Sequence, residues 1–575
     1  MDAGQELTGQ ALTAKYDWIL ALTSIAFVFS CASNGANDVA NSYATSVAAR
    51  TLKMWHVGIM AACTEFIGAV ALGSRVTDTI KSGIITPDRF ENAANPGTFM
   101  LAMGCAEVGS GAWLTTATFL GWPVSTTQSI VGALVGVGFA TQADITWEWT
   151  KGSVSQTAAS WGIAPGIACG FSAIIFGTLK YSVLERSDPF KWAMRLIPLY
   201  IALTGGVLAL FITIEAPTAP DIEEFGAGKA VGIILGCFFG CMAVGYAFFI
   251  PYFHRRLVKM DSRIRFYHLP LGPLLWMENP PLYRPYQGEW TITNHYEDAY
   301  GNVQAGSKDN NKHAPEHPDE KKPKDTDIER DPESVASSPE IQPKKHIVEP
   351  EERFLDPVRD LSWANPRKWW GYLKYGLLQG VTRDVITHDS ALLRDIHSRA
   401  KRYDDRIEHM WTYCQVVSAI MMSIAHGSND VANAVGPWAG SYNTFRTGEV
   451  NTEAGTPVWF LVIAGLLLGA GFWVYGFHIM RALGNKITQM SPTRGFSTEL
   501  GAAITVLLAS RLGLPVSTTQ CLTGSAVGVA LMNYDLAAIN WRQIAFIFSG
   551  WVLTLPCAGL ISGLLCLMAL NTPHF

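Results

Sequence analysis

The chain has 575 residues, 49 % hydrophobic and 16 % charged, with a mean hydropathy of +0.17 that one long polar stretch dilutes. Such a composition favours a polytopic membrane protein over a string of soluble domains. A net charge of −5 and a pI near 6.2 give no footprint for nucleic acid. The ten cysteines lie scattered through apolar segments without a CxxC pair, so they read as small buried hydrophobes rather than a metal site or disulfide framework.

The N-terminus carries Asp2, Glu6 and Asp17 and no basic run, so no cleavable signal is expected, and the first apolar segment serves for insertion. Hydropathy predicts seven apolar segments, near 17–36, 55–74, 98–120, 122–141, 158–178, 193–214 and 228–252. Only Gly121-Trp122-Pro123 separates the third from the fourth, so a re-entrant hairpin and two full spans are both open.

From His254 to about His409 the chain is hydrophilic. Gly306 to Arg353 is rich in Lys, Asp, Glu, Pro and Ser and nearly lacks aromatics, which predicts disorder. Ser334, Ser337 and Ser338 there are candidate phosphorylation sites. Asp356 to Arg406 mixes Trp363, Trp369, Trp370, Leu377 and Leu378 with charges, which predicts a small helical unit beside the membrane. Five more segments follow, near 411–436, 457–481, 496–511, 514–532 and 543–570, and Gly513-Leu514-Pro515 splits the middle pair.

The predicted fold is an all-α polytopic membrane protein of about twelve transmembrane or re-entrant segments. It divides into residues 1–253, a loop at 254–409 and residues 410–575. Arg255, Arg256, Lys259, Arg263 and Arg265 flank the loop on one side, and Arg394, Arg399, Lys401, Arg402 and Arg406 on the other. The positive-inside rule then puts the loop in the cytoplasm and both termini outside.

Two blocks recur at one offset. Asp38 pairs with Asp430, Glu107 with Glu499, and Pro123-Val-Ser-Thr-Thr-Gln128 with Pro515-Val-Ser-Thr-Thr-Gln520, each 392 residues apart. The copies begin at segments one and eight. An odd separation inverts one copy relative to the other, the plan of secondary transporters with a site at the repeat interface.

Asn34-Gly-Ala-Asn37-Asp38-Val-Ala-Asn41 ends a strongly apolar run, and His426-Gly-Ser-Asn429-Asp430-Val-Ala-Asn433 repeats it. On a helix, two amides share a face with a carboxylate beside them. Amides and carboxylate suit a cation such as Na⁺, and Asn37, Asp38, Asn429, Asp430, Glu107 and Glu499 are the candidate sodium ligands. A single copy would read as a helix cap; two copies inside membrane-length segments point to function.

Each Pro-Val-Ser-Thr-Thr opens a helix whose N-terminus carries spare donors and partial positive charge. Ser125, Thr126, Thr127, Ser517, Thr518 and Thr519 therefore suit an anion. Glu65, Glu107 and Glu499 lie in apolar segments, where a carboxylate must be paired, protonated or coordinating. Glu65 has no counterpart in the second copy. His426 reads as a hydrogen-bonded structural residue, and Arg511, opposite Phe119, as a snorkelling side chain. No symmetric Arg or Lys accompanies the motifs, so an anion beside Asp38 and Asp430 needs bridging cations or a proton of its own. Phosphate with Na⁺ meets both conditions at neutral pH; sulfate carries no proton there.

The two Asn-Asp-Val-Ala-Asn stretches and the twin Pro-Val-Ser-Thr-Thr turns resemble the inorganic phosphate transporter (PiT) family, including its fungal sodium-coupled permeases, over about 15–255 and 410–570. The resemblance implies uptake of inorganic phosphate coupled to sodium or protons at the plasma membrane, with no cofactor beyond the coupling ion. It places phosphate and sodium at Asp38, Asn41, Asp430, Asn433 and the Ser/Thr turns, with Glu65, Glu107 and Glu499 essential for transport. Animal members often carry His after the turn, where this chain has Gln128 and Gln520. A coupling role for that His does not transfer. A proton-coupled phosphate or sulfate carrier and a phosphate sensor on a transporter fold are the alternatives. The chain could pair as a homodimer, and its loop could bind regulatory proteins. No nucleophile–base pair or HExxH cluster supports an enzyme.

Overall fold

The computed structural model describes residues 14–92, 96–150, 152–215, 226–288, 291–296, 348–387, 390–450 and 455–572. Residues 1–13 and 306–347, which include the expected signal-free N-terminus and Ser334, Ser337 and Ser338, lie outside the described residues. The end of the stretch read as disordered, 348–353, packs on the unit that follows it. Glu351 there accepts hydrogen bonds from Tyr375 at 2.9 Å and from Arg383.

The described residues are predominantly helical, with longer irregular stretches at 142–150 and 259–288. The first half holds α1 (Asp17–Ala48), α2 (Met54–Leu72), α3 (Ser74–Ser82), α4 (Asp88–Asn92), α5 (Pro96–Phe119), α6 (Thr126–Thr141), α7 (Val154–Leu184), α8 (Pro189–Glu215) and α9 (Ala227–Val258). The polar region contributes α10 (Pro366–Thr382) and α11 (Ala391–Arg399). The second half holds α12 (Asp405–Thr447), α13 (Val458–Tyr475), α14 (Phe477–Leu483), α15 (Pro492–Arg511), α16 (Thr518–Leu531) and α17 (Trp541–Leu570). Polar residues set several starts: Ser125, Ser153, Asp404, Ser517 and Asn540 each accept a backbone N–H of the first turn.

Among the described residues, seven helices are long and apolar enough to cross a membrane: α1, α2, α7, α8, α9, α13 and α17. Of the other five predicted segments, three fall short for physical reasons. α6 has 16 residues and α16 has 14, about 24 and 21 Å at the α-helical rise, against a hydrocarbon core of ~30 Å. Each begins inside the molecule, at the turn the sequence marks with proline. α12 is long enough at 43 residues, but its apolar character is interrupted by the site residues it carries.

The packing repeats as the sequence does. α1 lies on α5 as α12 lies on α15, and α1 on α13 as α12 on α2. α6 packs on α17 of the opposite copy, and α16 on α7 in return. Glycines permit this last approach. A Cβ at Gly136 would fall 2.1 Å from the Gly559 carbonyl oxygen, and one at Gly528, 392 residues on, 2.2 Å from that of Cys169. α8 and α9 stand outside the repeat. α9 packs on α8 and turns most of its apolar surface outward, with 6 % of its apolar window buried, as a lipid-facing helix would. All ten cysteines are free.

Beyond α9 the polar region is pinned by charge. Arg255 and Arg263 both reach Asp261, and the Arg263 guanidinium holds that carboxyl down at about 2. Tyr296 donates to Glu408 at 2.6 Å, and Thr493 donates to the same carboxylate through its N–H at 2.9 Å. These bonds tie the polar region to the starts of α12 and α15.

Candidate functional site

The Asn-Asp-Val-Ala-Asn stretches stay helical, in the middle of α1 and α12, rather than breaking them. The breaks come instead at the Pro-Val-Ser-Thr-Thr turns, which bring the N-termini of α6 and α16 against those stretches. Asn37 holds its turn with both ends of its amide. It donates to the Trp122 carbonyl at 3.1 Å and accepts from the Val124 N–H at 3.1 Å. Asn429 donates likewise to the Val516 carbonyl at 2.9 Å.

Each aspartate joins both repeats. Asp38 Oδ2 accepts from the Thr126 hydroxyl at 2.7 Å, on its own copy, and Oδ1 from the Thr519 hydroxyl at 2.8 Å, on the other. Asp430 Oδ2 accepts from Thr518 at 2.8 Å, on its own copy, and Thr127 of the first copy stands 3.4 Å from Oδ1. The asparagines one turn on complete the pattern. Asn41 donates to Asp38 at 3.1 Å and Thr519 at 2.8 Å, and Asn433 to Asp430 at 3.1 Å and Thr126 at 2.9 Å. Ser125 and Ser517 instead accept from Gln128 N and Gln520 N and cap their helices.

All these groups are buried. Their acceptor oxygens are not all used. Asn41 Oδ1, Asn433 Oδ1, Asn429 Oδ1, Gln128 Oε1 and Gln520 Oε1 have no donor. Four of the five form repeat pairs. Buried amide oxygens without donors beside two carboxylates are cation-ligand chemistry. One oxygen each of Asp38 and Asp430 and a ring nitrogen of His426 lie within 4.8 Å of one another.

The three membrane glutamates have unlike surroundings. Glu65 lies against the second copy: Ser423 donates to it at 2.5 Å, and His426 Nδ1 is 2.6 Å from Oε2. His426 Nε2 lies 3.0 Å from Asp430 Oδ2, within ion-pair distance but poorly aligned as a hydrogen bond. Glu499 is held by Thr45 at 2.5 Å and Ser46 at 2.6 Å from α1, and by Gln415 at 3.3 Å and Ser418 at 2.6 Å from α12. Its repeat partner Glu107 is equally buried, yet it has only the Ser30 hydroxyl of α1 beside it, without a well-aligned hydrogen bond to either carboxylate oxygen.

Residues 34–562 match the phosphate transporter family. The chain belongs to the phosphate transporter family. The phosphate-repressible phosphate permease pho-4 of Neurospora crassa is 36 % identical over 98 % of this chain and 99 % of its own. Sodium-dependent phosphate transporter 1 of Mus musculus is 24 % identical, over 95 % of each chain. A solved structure described as the sodium-dependent phosphate transporter has a TM-score of 0.63, covering 96 % of this chain and 100 % of that one. At 23 % identity it shows that the fold is shared. The chain is thus a multi-span membrane transporter of phosphate and not an enzyme.

In this transporter the structure gathers Asp38, Asn41, Thr126, Thr127, Asp430, Asn433, Thr518 and Thr519 into one cluster. Asn37, Asn429, Ser125 and Ser517 shape its turns. Glu65 reaches the cluster through His426, whereas Glu107 and Glu499 stand apart on α5 and α15. Sequence reasoning passed over the bridge made by His426. It also missed Thr45, Ser46, Gln415 and Ser418, the polar shell of Glu499. Their signal was present as polar side chains three apart on α12 and next to each other on α1.

Proposed function

We propose that this transporter is a Na⁺-coupled symporter of inorganic phosphate in the plasma membrane, working by alternating access at the repeat interface. The observation that carries the reading is that Asp38 accepts hydroxyls from both repeats, Thr126 and Thr519. A carboxylate so placed occupies the mouth of the α6 helix, where an oxyanion would otherwise bind. Phosphate can share that mouth only if cations offset Asp38 and Asp430. The donor-free oxygens of Asn41, Asn429 and Asn433 supply neutral ligands for them. The threonine hydroxyls then turn from carboxylate to phosphate.

Burial of the cluster on all sides fits a state closed to both faces of the membrane. In this reading residues 1–253 and 410–575 form the two membrane halves, 254–409 lies in the cytoplasm, and both termini lie outside. The names of the mouse relative and of the solved neighbour agree with sodium as the coupling ion. The test is uptake of radiolabelled phosphate into proteoliposomes with and without a Na⁺ gradient, at acid and alkaline pH. Uptake that needs the Na⁺ gradient at both supports the reading. Uptake indifferent to Na⁺ but driven by a proton gradient overturns the coupling and transfers it to the Glu65–His426–Asp430 chain.

A further inference from the structure

A surface far from the transport site has a composition that transport does not explain. Residues 363–383 contain Arg367, Lys368, Lys374 and Arg383 and no acid. Within them, α10 exposes Trp369 (61 %), Trp370 (56 %), Leu373 and Leu377, and Trp363 stands exposed just before the helix. At positions i, i+1, i+4 and i+8 these four helix side chains share one face. The opposite side carries Lys368 and Gly371, buried against residues 354–361, and in the last turn Gly380 and Val381 are buried where the helix meets α13.

The depth of α10 follows from what holds it. Trp473 Nε1, near the end of α13, donates to the Leu377 carbonyl at 2.6 Å. A Cβ at Gly380 would fall 2.1 Å from the Trp473 carbonyl oxygen, so the two backbones touch. α13 is long and apolar enough to cross a membrane, and its end marks the boundary of the bilayer. α10 is therefore clamped at that boundary with its tryptophan face outward. Tryptophans are the side chains that favour this level, apolar in body and polar at one edge.

The charges are divided. Lys368 is spent on the Arg359 and Leu361 carbonyls, at 3.1 and 2.8 Å, and Arg383 on Glu351. Arg367 and Lys374 remain exposed, and the Lys374 ammonium lies 5.3 Å from the Trp370 ring centre. Two cations beside an apolar face at the bilayer boundary match phospholipid headgroups of negative charge.

We propose that α10 lies in the interface of the cytoplasmic leaflet, its tryptophan face among the acyl chains and Arg367 and Lys374 on anionic headgroups. A soluble peptide partner fits less well, because the face opens at membrane depth and is fixed there by a span.

The test uses full-length protein in vesicles of phosphatidylcholine with and without phosphatidylserine. The exposed Cys63 and Cys237 are replaced by serine, and a spin label is placed at Leu373→Cys or Leu377→Cys. The expected result is that both labels are relaxed by oxygen and shielded from a water-soluble nickel complex. Labels open to nickel would show a solvated face and overturn the proposal. Labels closed to both would show a protein cover, such as a second copy of the chain, and would also overturn it. In a second arm, Arg367→Gln and Lys374→Gln should each lower the preference for phosphatidylserine among co-purified lipids about fivefold. An unchanged preference would overturn the headgroup assignment.

Discussion

Thr519 of the second repeat donates to Asp38 of the first at 2.8 Å, whereas its counterpart Thr127 stands 3.4 Å from Asp430. The two-fold site is thus unequal at this point. A hydroxyl bound to a charged carboxylate contributes about 1.5–3 kcal/mol, and a long contact far less. We expect Thr519→Val to lower phosphate uptake about 10- to 100-fold and Thr127→Val by clearly less. Uptake normalised to membrane-resident protein checks this. Equal losses would mean that the asymmetry is not functional.

His426 takes the place of Asn34, which donates instead to the Asp430 backbone carbonyl at 2.9 Å. Removing the imidazole leaves Glu65 buried with Ser423 as its remaining hydrogen-bond donor. Breaking one side of a buried ion pair costs about 3–5 kcal/mol. We expect His426→Asn to lower thermal stability in detergent, and the double variant His426→Asn/Glu65→Gln to recover much of the loss. Additive losses in that cycle would show that the two residues do not act as a pair.

The paired glutamates Glu107 and Glu499 should respond differently to the same change. Glu499→Gln disturbs a carboxylate held by four side chains from two helices, so it should lower both melting temperature and uptake. Glu107→Gln removes a carboxylate that has only the Ser30 hydroxyl beside it, and an amide oxygen can still accept from that hydroxyl. It should leave the melting temperature nearly unchanged while raising the Na⁺ concentration needed for half-maximal uptake. Melting curves together with Na⁺ titrations of uptake separate the two. A large drop in melting temperature for Glu107→Gln would contradict this reading.

The helix crossing at Gly136 tests the fold. A Cβ 2.1 Å from a backbone oxygen forces α6 away from α17, and no side-chain rotation relieves it. We expect Gly136→Val to abolish recovery of monodisperse protein. Gly166→Ala, on α7 with open space around it, should be neutral. Size-exclusion profiles of the two variants check the contrast.

Much of this site was legible in the sequence, because the chain states it twice. Asp38, Asn41 and the threonine pairs stood out by their recurrence at a fixed offset, and the fold placed them together. What sequence could not supply was the crossing of the repeats. Thr126 serves Asp38 of its own copy, while Thr519 serves Asp38 from the other, and no spacing within one copy reveals that. An Asn-Asp stretch met once reads as a helix cap, because the residue types favour caps. Both stretches remain helical because threonines of the two turns donate to Asp38 and Asp430, and the turns at Pro123 and Pro515 provide the break instead. Glu65 gave no symmetry signal, since it has no counterpart in the second copy, and its partners Ser423 and His426 come from α12 of the other repeat.

Reciprocal flux separates coupled symport from uncoupled phosphate entry. Proteoliposomes holding the purified chain are given labelled Na⁺ and labelled phosphate separately and together. External phosphate is expected to accelerate Na⁺ entry, Na⁺ to accelerate phosphate entry, and Asp38→Asn to abolish both. Phosphate entry at full rate with K⁺ in place of Na⁺, and without phosphate-dependent Na⁺ entry, would contradict Na⁺-coupled symport.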